Sequence, residues 1–125
     1  MNDNGYIKEA KKLFSLASKE YEESKITKDE MKARQAAEKG YLCLLKTINA
    51  LFAAKGIKTK ELPRGERGRI FFLISYASKE IIKSYSSLRH DLHIDAFHEG
   101  IIIFENLDQR FKDLNGLVLK VERMI

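Results

Sequence analysis

The stretch ITKDEMKARQAAEKGYLCLLKTINALFAAKGI, residues Ile26–Ile57, contains a long amphipathic helix together with the signals that start and end it. Thr27, with Glu30 three residues later, predicts a capping box at its beginning. Lys55-Gly56-Ile57 predicts a Schellman ending, because Gly56 adopts the left-handed conformation at little cost. The apolar face recurs at helical spacing, at Ala37, Tyr41, Leu44, Ile48 and Leu51. A helix of roughly 40 Å, at 1.5 Å per residue, needs other helices to cover that face.

The remaining sequence predicts three more amphipathic helices. Asp3 or Asn4 can cap the first, a third runs from Glu66 to about Leu88, and a fourth starts at Asp91 or Asp95 and continues to the end of the chain. Their apolar faces are Ile7, Ala10, Phe14, Ala17 and Tyr21; Ile70, Ile74, Ala77, Ile81, Tyr85 and Leu88; and Phe97, Ile101, Phe104, Leu107, Phe111, Leu114, Val118, Val121 and Ile125. Short links and one longer loop, residues 57–66, indicate an all-α, antiparallel up-and-down four-helix bundle.

Asn115-Gly116 interrupts the last apolar face, and a short fifth C-terminal helix could begin there. The phase of the apolar positions continues across this pair, which favours one continuous helix.

Composition places the chain among folded proteins. Its 125 residues, 44% of them hydrophobic, predict a single domain over residues 1–125. Cys43 is the only cysteine and the polar start resembles no secretory signal, so we expect a cytoplasmic protein. The longest apolar runs are much shorter than the ~20 residues of a membrane span, so we expect no membrane segment.

Positive charge is concentrated in residues 55–69, which hold six basic and two acidic residues. Lys58, Lys60, Arg64, Arg67 and Arg69 are the candidate binding residues of this loop. Such a loop is suited to phosphates of a nucleic acid or to an acidic partner, although a solvated connector has the same composition.

All three histidines lie within nine residues, at His90, His93 and His98. On a helix, His93 shares a face with Arg89 four residues earlier, so the two are candidate acid–base and phosphate-binding residues. Asp91 and Asp95 could instead pair with Arg89 in a structural ion-pair network. His90 and His93 with Asp95 or Glu99 would also suit a metal ion, but no metal motif is present and we predict neither metal nor cofactor.

The segment Leu88-Arg89-His90-Asp91-Leu92-His93, placed before the last long helix of an antiparallel bundle, resembles the HEPN superfamily. The signature of that superfamily is an arginine, usually a polar residue after it, and a histidine a few residues later. Arg89 and His90 match the first two places, whereas His93 comes earlier and His98 later than the usual histidine. The resemblance implies a nucleotidyltransferase-type protein partner or metal-independent ribonuclease activity. The chain also resembles small bacterial helical-bundle proteins without an assigned function.

Our leading functional interpretation is a non-catalytic interaction or binding module, a HEPN-like partner subunit. The alternatives are a ribonuclease that uses Arg89 and His93, and nucleic-acid binding through the basic loop, with RNA or a nucleotide as ligand. Two apolar clusters, Ile70–Ile74 and Ile101–Phe104, are wider than one core-facing stripe. We therefore expect a homodimer that buries them.

Overall fold

The computed structural model describes residues 5–125, which form helices joined by short links and contain no β-strand. The elements are α1 (Gly5–Thr27), α2 (Glu30–Ala54), a single 3₁₀ turn (Thr59–Glu61), α3 (Glu66–Tyr76), α4 (Lys79–Leu88), a π-helical continuation of α4 (Arg89–His98, the π segment) and α5 (Phe104–Met124). The all-α prediction is confirmed, with five α-helices where four were expected. The predicted cap at Asp3 or Asn4 lies outside the described residues. No helix among residues 5–125 is long and apolar enough to cross a membrane.

Helix α2 lies at the centre of the bundle and packs against α1, α5 and the π segment. Small residues on its inner face lie against these neighbours: a Cβ at Gly40 would be in van der Waals contact, at 3.5 Å, with side-chain atoms of Leu92 and Leu114. Cys43 is fully buried on the α1 side, and its thiol donates to the carbonyl of Ala10 at 3.2 Å. Burial raises the pKa of this thiol to about 12, so Cys43 is a packing residue rather than a nucleophile.

The stop signal of α2 is confirmed and its start signal is wrong. Gly56 has φ +92°, and the amides of Gly56 and Ile57 donate to the carbonyls of Ala53 and Phe52, as in a Schellman ending. At the other end, α1 continues through Thr27, and Asp29 caps α2 by accepting from the amide of Lys32 at 3.1 Å. The N-cap of α2 is therefore Asp29 and not the predicted Thr27.

The predicted third helix is two helices, because the chain breaks at Ala77-Ser78. Ala77 is extended, with φ −114° and ψ 158°. The Ser78 hydroxyl accepts from the amide of Ile81 at 3.2 Å and caps α4. Serine is a common N-cap residue, but the apolar positions keep their helical spacing on both sides of Ser78, so the sequence pattern did not indicate a break.

The predicted start of the last helix, at Asp91 or Asp95, is also wrong. These residues belong to the π segment, which ends at His98; Gly100 follows with φ +71°, and α5 begins only at Phe104. Residues 101–103 therefore lie outside any helix, and Ile103 is extended, with φ −123° and ψ 101°. Helix α5 is continuous across Asn115-Gly116, so the favoured continuation is confirmed and no short fifth helix begins there.

Two exposed apolar patches are present, at opposite ends of α2. Phe71 and Ile74 of α3 are 67% and 66% exposed, near the Phe52 end of α2. Ile101 and Ile103 are 49% and 56% exposed, near its beginning. Within the two predicted clusters, Leu73 is buried, whereas Ile70, Phe72, Ile102 and Phe104 pack partly against the core.

Candidate functional site

The π segment arranges the histidines differently from an α-helix. Its i→i+5 hydrogen bonds widen each turn to between four and five residues, as in the bond from the amide of Glu99 to the carbonyl of Ile94 at 2.9 Å. Residues four and nine positions apart then lie close to one line on the surface. Arg89, His93 and His98 stand at this spacing, so a regular π-helix places their backbone positions along one side of the segment.

His93 is held by two residues of α2. Its Nδ1 lies 2.8 Å from Oε1 of Glu38, and its ring stacks on Tyr41 with centroids 4.1 Å apart. A carboxylate at Nδ1 accepts the proton on that nitrogen, which leaves Nε2 as the nitrogen available for chemistry. The His93 side chain is 18% exposed, so the pair is largely shielded from solvent.

His98 completes a histidine pair at the end of the segment. Its Nε2 lies 3.2 Å from Nε2 of His93, so one ring donates and the other accepts. Arg34 of α2 fixes the backbone below it, donating to the carbonyl of Phe97 at 2.6 and 3.1 Å and to that of His98 at 3.3 Å. The guanidinium packs over Gly100, where a Cβ would lie 3.1 Å from one of its nitrogens.

Arg89 is oriented by the start of α3. Its Nε lies 3.2 Å from Oε1 of Glu66, at an angle that forms an ion pair without a hydrogen bond. The same carboxylate oxygen accepts from the Tyr85 hydroxyl at 2.5 Å and from Arg69 at 3.2 Å. Burial and the bond to Glu66 raise the pKa of Tyr85, which therefore stays neutral. The guanidinium of Arg89 and the ring of His93 therefore interact with different carboxylates, those of Glu66 and Glu38.

His90 projects from another side of the segment and is 65% exposed. The hydrogen bond to Asp91, at 3.0 Å, and the charge of Asp95 raise its pKa. One ligand atom from each of these three residues lies within 4.8 Å of the others, a spacing that would admit a divalent cation. The combination considered from the sequence, His90 with His93, does not form, because His93 turns toward Glu38.

The five candidate residues of the basic loop differ in their exposure to solvent. Lys58, Lys60, Arg64 and Arg67 are exposed, whereas Arg69 is 7% exposed and pairs with Glu66. Arg69 therefore braces α3 against α4, and its charge does not face solvent with the other four.

The residues that hold the histidines are not marked in the sequence. Glu38 and Tyr41 stand three positions apart on α2, so they share a face, but that helix carries charged residues on several sides and nothing marks this carboxylate. For Glu66, the sequence predicts only the beginning of a helix and not a contact with Arg89. The one signal present was Gly100, since a glycine after a helical run is the residue that permits a left-handed ending.

Comparison with known proteins places the chain in a family. No curated protein and no solved structure matches it. The model of the Archaeal PaREP1/PaREP8 family matches residues 6–118, which is most of the chain and includes α2, α3, α4 and the whole π segment. The family is described as archaeal, so the expected kinship with bacterial proteins is not supported. The chain therefore belongs to the archaeal PaREP1/PaREP8 family.

Proposed function

We propose that the protein cleaves RNA without a metal ion, with His93 and His98 as the acid–base pair. The observation that carries this proposal is the 3.2 Å approach of the two Nε2 atoms, one of them on a ring anchored through Nδ1 by Glu38. Two adjacent imidazoles can hold one proton between them, which supplies a base and an acid at neutral pH.

The reaction uses the 2′-hydroxyl of RNA as nucleophile. His93 Nε2 takes the proton of that hydroxyl, and the 2′-oxygen attacks the adjacent phosphorus. The bond from phosphorus to the 5′-oxygen breaks, and protonated His98 gives its proton to that oxygen. The products are a 2′,3′-cyclic phosphate and a 5′-hydroxyl. His98 is exposed at the end of the π segment, so its ring can rotate outward to admit the phosphate.

Arg89 is the residue that stabilises the negative charge of the transition state. Its Nε faces Glu66, and no ion pair involves its two terminal nitrogens within residues 5–125. A guanidinium presents two such nitrogens to a phosphate at once. The resemblance to the HEPN superfamily supports the same assignment, because a π-helix places the backbone position of His98, as well as that of His93, on the side of Arg89.

The test incubates purified protein in EDTA with a 5′-labelled RNA oligonucleotide and with the DNA of the same sequence. We expect RNA products that end in a cyclic phosphate and no cleavage of DNA, which lacks the nucleophile. His93→Ala and His98→Ala should each lower the rate about 10²–10⁴-fold, and Arg89→Ala about 10²–10³-fold.

His90→Ala is the matched control, since it removes an exposed histidine that faces away from the pair and should leave the rate unchanged. His98→Ala alters an exposed side chain, so its fold is preserved even where His93→Ala disturbs packing. Absence of RNA cleavage by the unmodified protein would refute the proposal. Cleavage that survives both histidine changes, or that extends to DNA, would also refute it.

A second candidate function is a homodimeric interaction module, and the apolar patch on α3 favours it. Phe71 and Ile74 leave about two thirds of their side chains exposed on a helix that packs against the bundle by its other face. Association of two copies about a two-fold axis would cover the α3 patch of each copy in one interface. The HEPN resemblance further supports a nucleotidyltransferase-type protein as a partner of this surface.

Light scattering tests the dimer directly. The expected mass is twice that of the 14.4 kDa chain, and Phe71→Glu should produce monomer with unchanged helicity. Ile103→Glu introduces the same charge at the opposite end of α2 and should leave the dimer intact. A monomeric unmodified protein, or equal dissociation by both changes, contradicts this assignment.

A further inference from the structure

A groove of about 400 Å³ lies between α4 and α5, on the side of the π segment away from the histidine pair. His93 faces α2, whereas Asp91 faces α5 and lies 3.6 Å from Arg110 at one end of the groove. The groove exists because the facing positions are small: Ser84 and Ser87 on α4, and Gly116 on α5. A Cβ at Gly116 would have no neighbouring atom within 4 Å.

The walls of the groove are cationic. Lys83 on α4 and Arg110, Lys112 and Lys120 on α5 line it. Lys120 pairs with Glu80 and Arg110 pairs with Asp113 at 3.2 Å, which neutralises two of the four cations. Lys83 and Lys112 stand on opposite walls, and neither forms an ion pair among residues 5–125. The charge of Lys112 also acts on Asp108, which lies outside the groove, and helps to lower the pKa of that carboxyl. Two ammonium groups that form no ion pair with a residue of the groove therefore flank its hydroxyls.

We infer that this groove binds a small phosphorylated molecule. Lys83 and Lys112 supply positive charge for the phosphate, and Ser84 and Ser87 supply hydroxyl donors. Hydrogen bonds to an ionised phosphate are stronger than bonds between neutral groups. Apolar atoms of Ile81, Leu88 and Leu117 form the floor against which the organic part of such a ligand can pack. The volume falls within the range of sites for small ligands.

The ends of the groove favour a compact ligand over a nucleic-acid strand. Glu80 lies at one end, and Asp91 and Asp113 lie beside Arg110 at the other. The eight steps from Glu80 to Leu88 span about 12 Å at 1.5 Å per residue. A polynucleotide that continued past either end would bring its phosphates against these carboxylates, whereas a short ester would not.

The experiment is calorimetric titration of the full chain with inorganic pyrophosphate and with AMP, beside a ten-residue oligouridine. We expect saturable binding of pyrophosphate or AMP. Gly116→Leu places a side chain in the groove and should weaken binding at least about tenfold by excluding the ligand. Lys83→Glu with Lys112→Glu reverses two charges of the groove and should also weaken binding at least about tenfold, because hydrogen bonds to charged groups are lost.

The matched control is Lys12→Glu with Lys19→Glu, which makes the same charge change on exposed positions of α1 and should leave binding unchanged. Failure to bind pyrophosphate and AMP at millimolar concentration would overturn the inference. Binding of oligouridine alone, or equal weakening in the α1 control, would also overturn it. The outcome is independent of RNA cleavage, since His93→Ala and His98→Ala should bind pyrophosphate as the unmodified protein does.

Discussion

Gly100→Ala is expected to destabilise the protein through two separable effects. Gly100 has φ +71°, where a residue with a Cβ loses about 1–2 kcal/mol, partly offset because alanine restricts the unfolded chain by about 0.4–1 kcal/mol. The new Cβ would also lie 3.1 Å from a nitrogen of Arg34 and 3.2 Å from its Cζ, closer than an ordinary contact. The guanidinium must shift, which weakens its hydrogen bonds to Phe97 and His98.

The contribution of Arg34 can be estimated and isolated. Weakening a hydrogen bond made by a charged group reduces stability by about 1–2 kcal/mol. Gly56 has φ +92°, and a Cβ there would meet no atom within 4 Å, so Gly56→Ala carries the backbone effect alone. We expect a loss of about 1 kcal/mol for Gly56→Ala and about 2–3 kcal/mol for Gly100→Ala.

Urea denaturation followed by circular dichroism measures both variants. In an Arg34→Ala background, the loss caused by Gly100→Ala should fall to that of Gly56→Ala, as a double-mutant cycle requires for residues in contact. Equal losses for the two glycine variants in the unmodified protein would refute the role assigned to Arg34. Since Arg34 holds the carbonyl of His98, Gly100→Ala should also lower RNA cleavage.

Three further predictions concern stability and charge. Gly116→Ala should raise the free energy of unfolding by about 0.5–1 kcal/mol, because Gly116 lies in the middle of α5 and a Cβ there would meet no other atom within 4 Å. Thermal or urea unfolding measures the change, and a loss of stability would show that the position is not open. The hydrogen bond from Tyr21, and to a smaller extent Lys25, lowers the pKa of Asp108 below its ordinary value of 3.8. The ionised carboxylate therefore stabilises the fold above pH 3.8, and this stabilisation is lost as the pH falls through the lower pKa of the folded state. Asp108→Asn should flatten the dependence of the urea midpoint on pH in this acidic range, and an unchanged slope would refute the assignment. In an NMR titration, the pKa of the His90 ring should lie above 6.5, chiefly through Asp91, and an Asp91→Asn variant that leaves its midpoint unchanged would exclude that cause.

Much of the fold is predictable from local patterns. The apolar face of α2, its Gly56 ending and the loop around Pro63 all follow from spacing and residue type, and the structure has each of them. These features depend on helical periodicity and on the backbone freedom of glycine, which act within a few residues. Errors arose where two local signals competed, as at Thr27 and Asp29, whose side chains are both suitable caps.

The candidate site was only half predictable. Arg89 and His93 stood out because few residue types combine a fixed cation with a group that titrates near neutral pH. Glu38 did not, because it lies 55 positions from His93 and is one of several carboxylates on its helix. His98 is distant from Arg89 along the sequence, yet it is the residue whose Nε2 meets that of His93.

The sequence by itself determined that the chain is helical, where most of its apolar faces lie and which segment concentrates the histidines. Only the tertiary structure decided that Arg89–His98 winds as a π-helix and that Glu38, Tyr41 and Arg34 surround it. The physical reason is the range of the interactions. Capping and periodicity operate between neighbours in the chain, whereas the width of a helical turn depends on how Leu92 and Ala96 are seated against the core, which packing between distant helices sets.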